Sequence, residues 1–277
     1  MAIKLAATDL DGTLIASNGE ISTENFEAME KAIKKGLYIV PTTGRSFYEM
    51  PKELRERKSY THCICSNGAV IFDRDGNEIW KSTFSMDKTM ELFDILSEYD
   101  TMIEVYTKGT PVTETSKLTK EAYIHYRVEE NYHDVLTATR KGVENLKSFL
   151  SENSEGAEMF NIFFSDAGER KEAFERIGKL DYVELTTSMA SNMEILQRSV
   201  NKGSSLKMLC EKLKVKKEEV MAMGDSRNDL TLLSAAGTAL AVANACDDLK
   251  KVADEVICSC DESAMAYALS RFVQGEK

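Results

Sequence analysis

The residues most able to do chemistry come first in the chain. An apolar run, IKLAAT (3–8), ends in Asp9 and Asp11 with Leu10 between them, and Gly12 and Thr13 follow. Carboxylates two apart on an extended segment project from one face, where they serve as nucleophile or as acid and base. They also repel, so something must hold both charges. Four further segments carry polar residues just past an apolar run or at a helix start. Thr43-Gly44-Arg45 follows LYIVPT, Ser66-Asn67-Gly68 follows THCIC, Asn201-Lys202-Gly203 opens an amphipathic stretch, and Gly224-Asp225 with Asn228 and Asp229 follows EVMAM. Three carboxylates and a fourth near them conflict strongly at low dielectric. A divalent cation removes the conflict, and oxygen-only ligands suit Mg²⁺, which takes one or two carboxylates plus a phosphate. His62, His125 and His133 lie away from these motifs, so a zinc set is missing there.

The elements that must position these residues alternate. IKLAAT reads as a buried strand, and 22–36 as a helix with Ser22 or Thr23 as cap, Phe26, Met29 and Ile33 as its apolar stripe, and Gly36 as its end. LYIVPT (37–42) and THCIC (61–65) read as the next two strands, so strand–helix–strand order predicts a parallel sheet with helical crossovers. Ligands bind at the carboxyl edge of such a sheet, which is where the polar segments fall. Residues 69–80 read as a hairpin about Asp75-Gly76.

The middle differs in texture. Residues 85–99 and 134–151 read as helices, 104–114 as a strand pair with a Lys-Gly turn, 158–164 and 182–187 as strands, 168–179 as a helix, and 191–196 as a strand leading out. That mixture predicts an α+β module. Alternation returns with a helix at 201–213, strands at 219–224 and 238–242, a helix at 227–236 between them, then a helix (247–253), a strand (255–258) and a last helix (262–273). The expected architecture is therefore a Rossmann-like α/β core, 1–83 and 191–277, split by an α+β insertion, 84–190.

Length and charge agree with that division. The chain has 277 residues, long for one core. Its net charge of -11 disfavours a binder of nucleic-acid backbone and requires a local positive site for any anionic substrate. The apolar start is cut off by Asp9 and Asp11, and no apolar run approaches a membrane span, which predicts a cytoplasmic protein with reduced thiols. Two C-x-C pairs, Cys63/Cys65 and Cys258/Cys260, each place both thiols on one side of a strand. They read as packing groups; a metal shared within a pair stays open, although neither has the spacing of common zinc sites.

Four motifs in order, DLDGTL (9–14), TTGR (42–45), NKG (201–203) and GDSRND (224–229), resemble the haloacid dehalogenase superfamily of phosphatases. NGA (67–69) with the following hairpin resembles its Cof-type branch, whose cap lies between the second and third motifs. The resemblance implies an Mg²⁺-dependent phosphatase. Asp9 is its nucleophile, forming an aspartyl-phosphate, and Asp11 the acid that protonates the leaving alcohol and then the base that activates water. One Asp9 oxygen, the Asp11 backbone carbonyl and Asp225 hold the metal, with Asp229 behind them or reaching through water. Thr43 bonds to the transferred phosphoryl group, the Gly44 N–H approaches it, and Lys202 offsets charge on it and on Asp9. Asn228 organises the metal loop or touches substrate; Leu10, Arg45, Asn67 and Gly68 line the phosphate and substrate side. Asn244 matches the family's asparagine after the last core strand, with Ala243 where glycine is expected. The implied substrate is a small phosphorylated metabolite, a sugar phosphate first and a cofactor such as pyridoxal phosphate or flavin mononucleotide second. The protein is expected as a monomer or homodimer, with no nucleic-acid or membrane partner.

Other protein classes share parts of this pattern. A receiver-type signalling domain also uses acidic residues, a hydroxyl, a lysine and Mg²⁺, but at about half this length and without a large insertion. A phosphosugar-binding regulatory protein would be expected to lose Asp9 or Asp11, and both are present. A phosphomutase shares the first step and differs in the acceptor.

Overall fold

The computed structural model describes residues 2–273; Met1 and residues 274–277, the outer ends of the expected core, lie outside the described residues. The strands run in chain order as β1 (Leu5–Thr8), β2 (Tyr38–Pro41), β3 (His62–Cys65), β4 (Val70–Asp73), β5 (Glu78–Lys81), β6 (Thr101–Thr107), β7 (Thr110–Glu114), β8 (Lys141–Val143), β9 (Met159–Phe164), β10 (Val183–Thr186), β11 (Asn192–Gln197), β12 (Val220–Gly224), β13 (Thr238–Ala241) and β14 (Glu255–Val256). The chain divides into two compact units, one of 1–44, 50–80 and 201–277 and the other of 45–49 and 81–200. The second unit starts earlier and ends later than 84–190, and it takes in Arg45–Glu49.

The first unit holds a parallel sheet in the order β14-β13-β12-β1-β2. β1 lies between β12 and β2 and is buried along its length, as a strand covered on both faces should be. The helix Thr23–Lys34 crosses from β1 to β2; Ser22 caps it by accepting the Asn25 N–H at 3.1 Å, and Phe26, Met29 and Ala32 are buried along its inner face. β3 continues beside β2 through a parallel bridge, Thr42 to Ile64, and forms its own three-stranded sheet with β4 and β5. In the hairpin, Gly76 adopts φ +83°.

The second unit is α+β, with a sheet ordered β10-β11-β9-β6-β7-β8 that is antiparallel except for β7 with β8. Lys108 (φ +52°) and Gly109 (φ +70°) make the turn between β6 and β7. One expectation fails here. Residues 134–151 form two short helices, His133–Thr139 and Leu146–Glu152, separated by β8. Arg140 leaves helical dihedrals (ψ 136°), and Gly142 lies so near Thr115 that a Cβ would be 2.7 Å from its hydroxyl oxygen. A third strand in the β7 ladder outweighs the helical pattern. The last helix likewise covers only Ala264–Ala268, followed by a wider π turn over Leu269–Val273. Among the described residues no helix is long and apolar enough to cross a membrane.

Candidate active site

The site grows from the ends of β1 and β12. The Asp9 N–H donates to the Met223 carbonyl at 3.0 Å, extending the ladder one residue past β1. The chain then turns sharply: the Leu10 carbonyl accepts the N–H groups of Thr13, Leu14 and Ile15 at 3.2, 3.0 and 2.8 Å. Leu10 is fully buried, so its side chain packs into the core and not toward the site opening. Gly12 adopts φ +70°, and a Cβ there would stand 2.7 Å from Asp225 Oδ2. Only glycine suits both the left-handed backbone and that approach. Asp9 is buried and Asp11 exposed, so the two carboxylates occupy different dielectrics.

Lys202 answers how the charges are held. It is 1% exposed, and its Nζ donates to Asp9 Oδ1 and to Asp229 Oδ1, each at 2.7 Å. It is the first residue of the helix Lys202–Leu213, which Asn201 caps by accepting the Ser204 N–H at 2.9 Å. At Gly203 a Cβ would sit 2.0 Å from the Thr231 carbonyl oxygen, so this helix start lies directly against the helix Leu230–Ala235.

Asp229 is fully buried and its oxygens are engaged. Oδ1 takes the lysine, and Oδ2 accepts the N–H groups of Asp225 and Ser226 at 3.1 and 3.2 Å. Gly224 admits it, since a Cβ there would lie 2.6 Å from three Asp229 atoms. Asp225 is half-buried and accepts from the Thr13 hydroxyl at 3.4 Å. Sequence reading passed over Thr13, although it stands in the same DLDGTL run.

Asp9, Asp225 and Asp229 each bring a carboxylate oxygen within 4.8 Å of the others. The electrostatics follow. Burial, then Asp229, pushes the Asp9 carboxyl well above its ordinary range; Lys202 pulls it down, while Asp225 and Asp11 push it up further. Burial and Asp229 likewise push Asp225 up to about 6, against Lys202 and the Thr13 hydroxyl. Burial lowers the Lys202 ammonium, but Asp229 and Asp9 outweigh it and hold it above the usual lysine range. One buried cation thus faces three clustered anions.

The Thr43 loop lies on the neighbouring strands. Thr43 is buried, donates its N–H to Ile64 at 2.8 Å and accepts the Asn67 N–H at 2.9 Å. Ser66 and Asn67 both adopt φ +50°. At Gly44 a Cβ would come within 3.2 Å of the Asn67 amide, whose Oδ1 accepts from Asn228 Nδ2 at 3.4 Å. Gly68 is committed to packing: its φ is +110°, a Cβ would meet the Asn201 carbonyl oxygen at 2.5 Å, and its own carbonyl accepts from Ser205 at 2.6 Å. Asn244 ties the site loop down by donating to the Gly12 carbonyl at 2.7 Å and accepting the Cys260 N–H at 3.0 Å. Of the residues picked from sequence, Asp9, Leu10, Asp11, Thr43, Gly44, Asn67, Gly68, Lys202, Asp225, Asn228 and Asp229 belong to the first unit. Arg45 belongs to the second, where its Nη1 donates to the Glu49 carbonyl at 2.9 Å.

A parallel α/β sheet carries clustered aspartates and a buried lysine at its carboxyl edge, the place where such sheets bind ligands. The chain belongs to the haloacid dehalogenase-like hydrolase family, whose sequence model matches residues 6–269. It is a phosphatase of that superfamily. Phosphatase YwpJ of Bacillus subtilis (strain 168) is 29% identical over 297 residues, 98% of this chain and 100% of that protein. The 5-amino-6-(5-phospho-D-ribitylamino)uracil phosphatase YcsE of the same organism is 30% identical over 271 residues, 98% of this chain and 96% of that protein. A solved haloacid dehalogenase-like hydrolase from B. subtilis superposes with a TM-score of 0.85 at 26% identity, covering 97% of this chain and 99% of that one.

Proposed function

We propose that this protein is a cytoplasmic, Mg²⁺-dependent phosphatase of small phosphorylated metabolites that works through an aspartyl-phosphate on Asp9. The observation that carries the reading is Lys202, buried between Asp9 and Asp229 with Asp225 alongside. The donor set fits Mg²⁺: the clustered ligand atoms are all carboxylate oxygens, and the lysine offsets one of three charges. Asp9 and Asp225, with the Asp11 backbone carbonyl, would hold the ion, while Asp229 has its oxygens engaged and braces the loop from behind. When bound, the ion supplies charge neutralisation and draws electron density from the phosphoryl oxygens.

The chain's own residues carry the steps. Asp9 attacks phosphorus, and the phosphorus–oxygen bond to the leaving alcohol breaks. Asp11, exposed to solvent, gives its proton to the leaving oxygen and then takes one from the water that hydrolyses the aspartyl-phosphate. Lys202 opposes the upward push that burial and the neighbouring aspartates put on Asp9, and it faces charge building on the phosphoryl oxygens. The Thr43 hydroxyl and Gly44 N–H bind those oxygens, and Asn67 and Asn228 set the loop around them.

Sugar phosphates are the first substrate class. The ribitylamino-uracil phosphate acted on by YcsE joins a phosphorylated polyol to a heterocycle, which supports both that class and the phosphorylated-cofactor class behind it. The test is phosphate release from a panel of phosphorylated sugars, sugar alcohols and cofactors, with Mg²⁺ and with EDTA. Mg²⁺-dependent release from a few related compounds is expected, and Asp9→Asn should lower it by about four orders of magnitude with an unchanged circular dichroism spectrum. An Asp9→Asn variant retaining most turnover would remove the nucleophile. Phosphate moving within the substrate instead of to water would identify a phosphomutase.

A further inference from the structure

Away from the aspartate cluster, three sulfur atoms converge inside the first unit. Cys63 and Cys65 are two apart on β3, so their side chains leave the same face. Cys65 Sγ lies 3.8 Å from Cys63 Sγ and 3.8 Å from Met50 Sδ. Both cysteines are fully buried and Met50 is 2% exposed. The other C-x-C pair is the contrast: Cys258 Sγ turns to the Glu262 carbonyl at 3.7 Å and Cys260 Sγ to Asp261 at 3.8 Å. Equal spacing in sequence therefore gathers sulfur only where the strand and Met50 bring it together.

We propose that Cys63, Cys65 and Met50 form a binding site for Cu(I). Two thiols and a thioether are a soft set, and soft sulfur ligands select Cu(I). Mg²⁺ wants oxygen and structural Zn²⁺ wants four ligands. Metal–sulfur bonds of about 2.3 Å at trigonal angles hold sulfurs roughly 4 Å apart, so the 3.8 Å spacings need little movement to accept the ion. On loading, each thiol releases its proton to solvent, two copper–thiolate bonds form, and the Met50 sulfur lends a lone pair. Copper stays Cu(I), and no electron is transferred. The loaded set carries one net negative charge. Arg55, whose Nε donates to the Met50 carbonyl at 3.2 Å, stands near to offset it. The ion enters by local opening, and Met50 precedes a helix of six residues, Lys52–Arg57, in which Leu54 alone is buried.

The test is an anaerobic titration of the reduced full chain with Cu(I) against the chelator bathocuproine disulfonate, with circular dichroism as the fold control. The wild type should take one Cu(I) per chain and show thiolate-to-copper absorption in the near ultraviolet. Cys63→Ser and Cys65→Ser should each weaken uptake by about 100-fold or more, and Met50→Leu by about tenfold. Cys258→Ser and Cys260→Ser should leave it unchanged. Failure of the folded wild type to compete with the chelator would overturn the site. So would equal uptake by a folded Cys63→Ser/Cys65→Ser chain, or loss of uptake on substituting Cys258 or Cys260. None of these readouts uses phosphatase activity, so they stand or fall separately from the proposed function.

Discussion

Replacing Lys202 with methionine keeps most of the side-chain volume and removes the charge. Two carboxylates then lose their shared cation in a site where Lys202 is 1%, Asp9 4% and Asp229 0% exposed. Removing one partner of a buried ion pair costs about 3–5 kcal/mol, and roughly 2–4 °C of melting temperature goes with each kcal/mol in a domain of this size. The expected fall is on the order of 10 °C at pH 8 in EDTA. The loss must also depend on pH. Lys202 is the group that pulls the Asp9 carboxyl down; without it burial, Asp229, Asp225 and Asp11 all push the same way, so the Asp9 folded-state pKa rises further. An acid whose folded pKa is raised binds its proton more tightly when folded, so the fold gains stability as pH falls through that value. The gap between variant and wild type should therefore narrow from pH 8 to pH 5. Asp229→Asn in the Lys202→Met background should recover part of the loss by removing an orphaned charge. The assay is thermal unfolding by circular dichroism, with phosphate release measured in parallel. A variant as stable as wild type at pH 8, or a deficit that does not change with pH, would refute the idea that Lys202 balances buried charge.

Two further substitutions test close approach and burial. Gly224→Ala places a Cβ 2.6 Å from Asp229 and should cost about 1–3 kcal/mol, with phosphatase activity falling more than stability because the Asp229 loop shifts; chemical denaturation and phosphate release read the two apart. In the second unit, fully buried Arg140 donates to Glu49, to both Glu104 oxygens at 2.7 and 3.0 Å and to the Tyr132 hydroxyl at 3.1 Å. Arg140→Met should cost about 3–5 kcal/mol by stranding both carboxylates, and Glu104→Gln in that background should restore part of it in the same denaturation assay.

Local patterns carried much of this into the sequence. The helix Thr23–Lys34 was legible from its Ser22 cap and apolar stripe, and the turn at Lys108-Gly109 from its residue types. Helical periodicity over 134–151 misled, because the chain leaves the helix at Arg140 to add a strand beside β7, and pairing between distant segments leaves no local period. Arg45 closes the TTGR motif along the chain and falls in the second unit of the structure, a division that no local pattern marks.

The sequence by itself determined which chemical groups are available and in what order: two aspartates after the first strand, a hydroxyl-glycine pair after the second, a lysine at a helix start and an acidic loop after a late strand. These follow from short-range rules, since strand ends, caps and turns are set by neighbouring residues. Tertiary structure decided which groups meet and in what dielectric. It put Lys202 between Asp9 and Asp229, engaged the Asp229 oxygens, drew Thr13 onto Asp225 and gathered Met50 with Cys63 and Cys65. Charge balance depends on distance and burial among residues up to about two hundred positions apart, and no local pattern encodes either quantity.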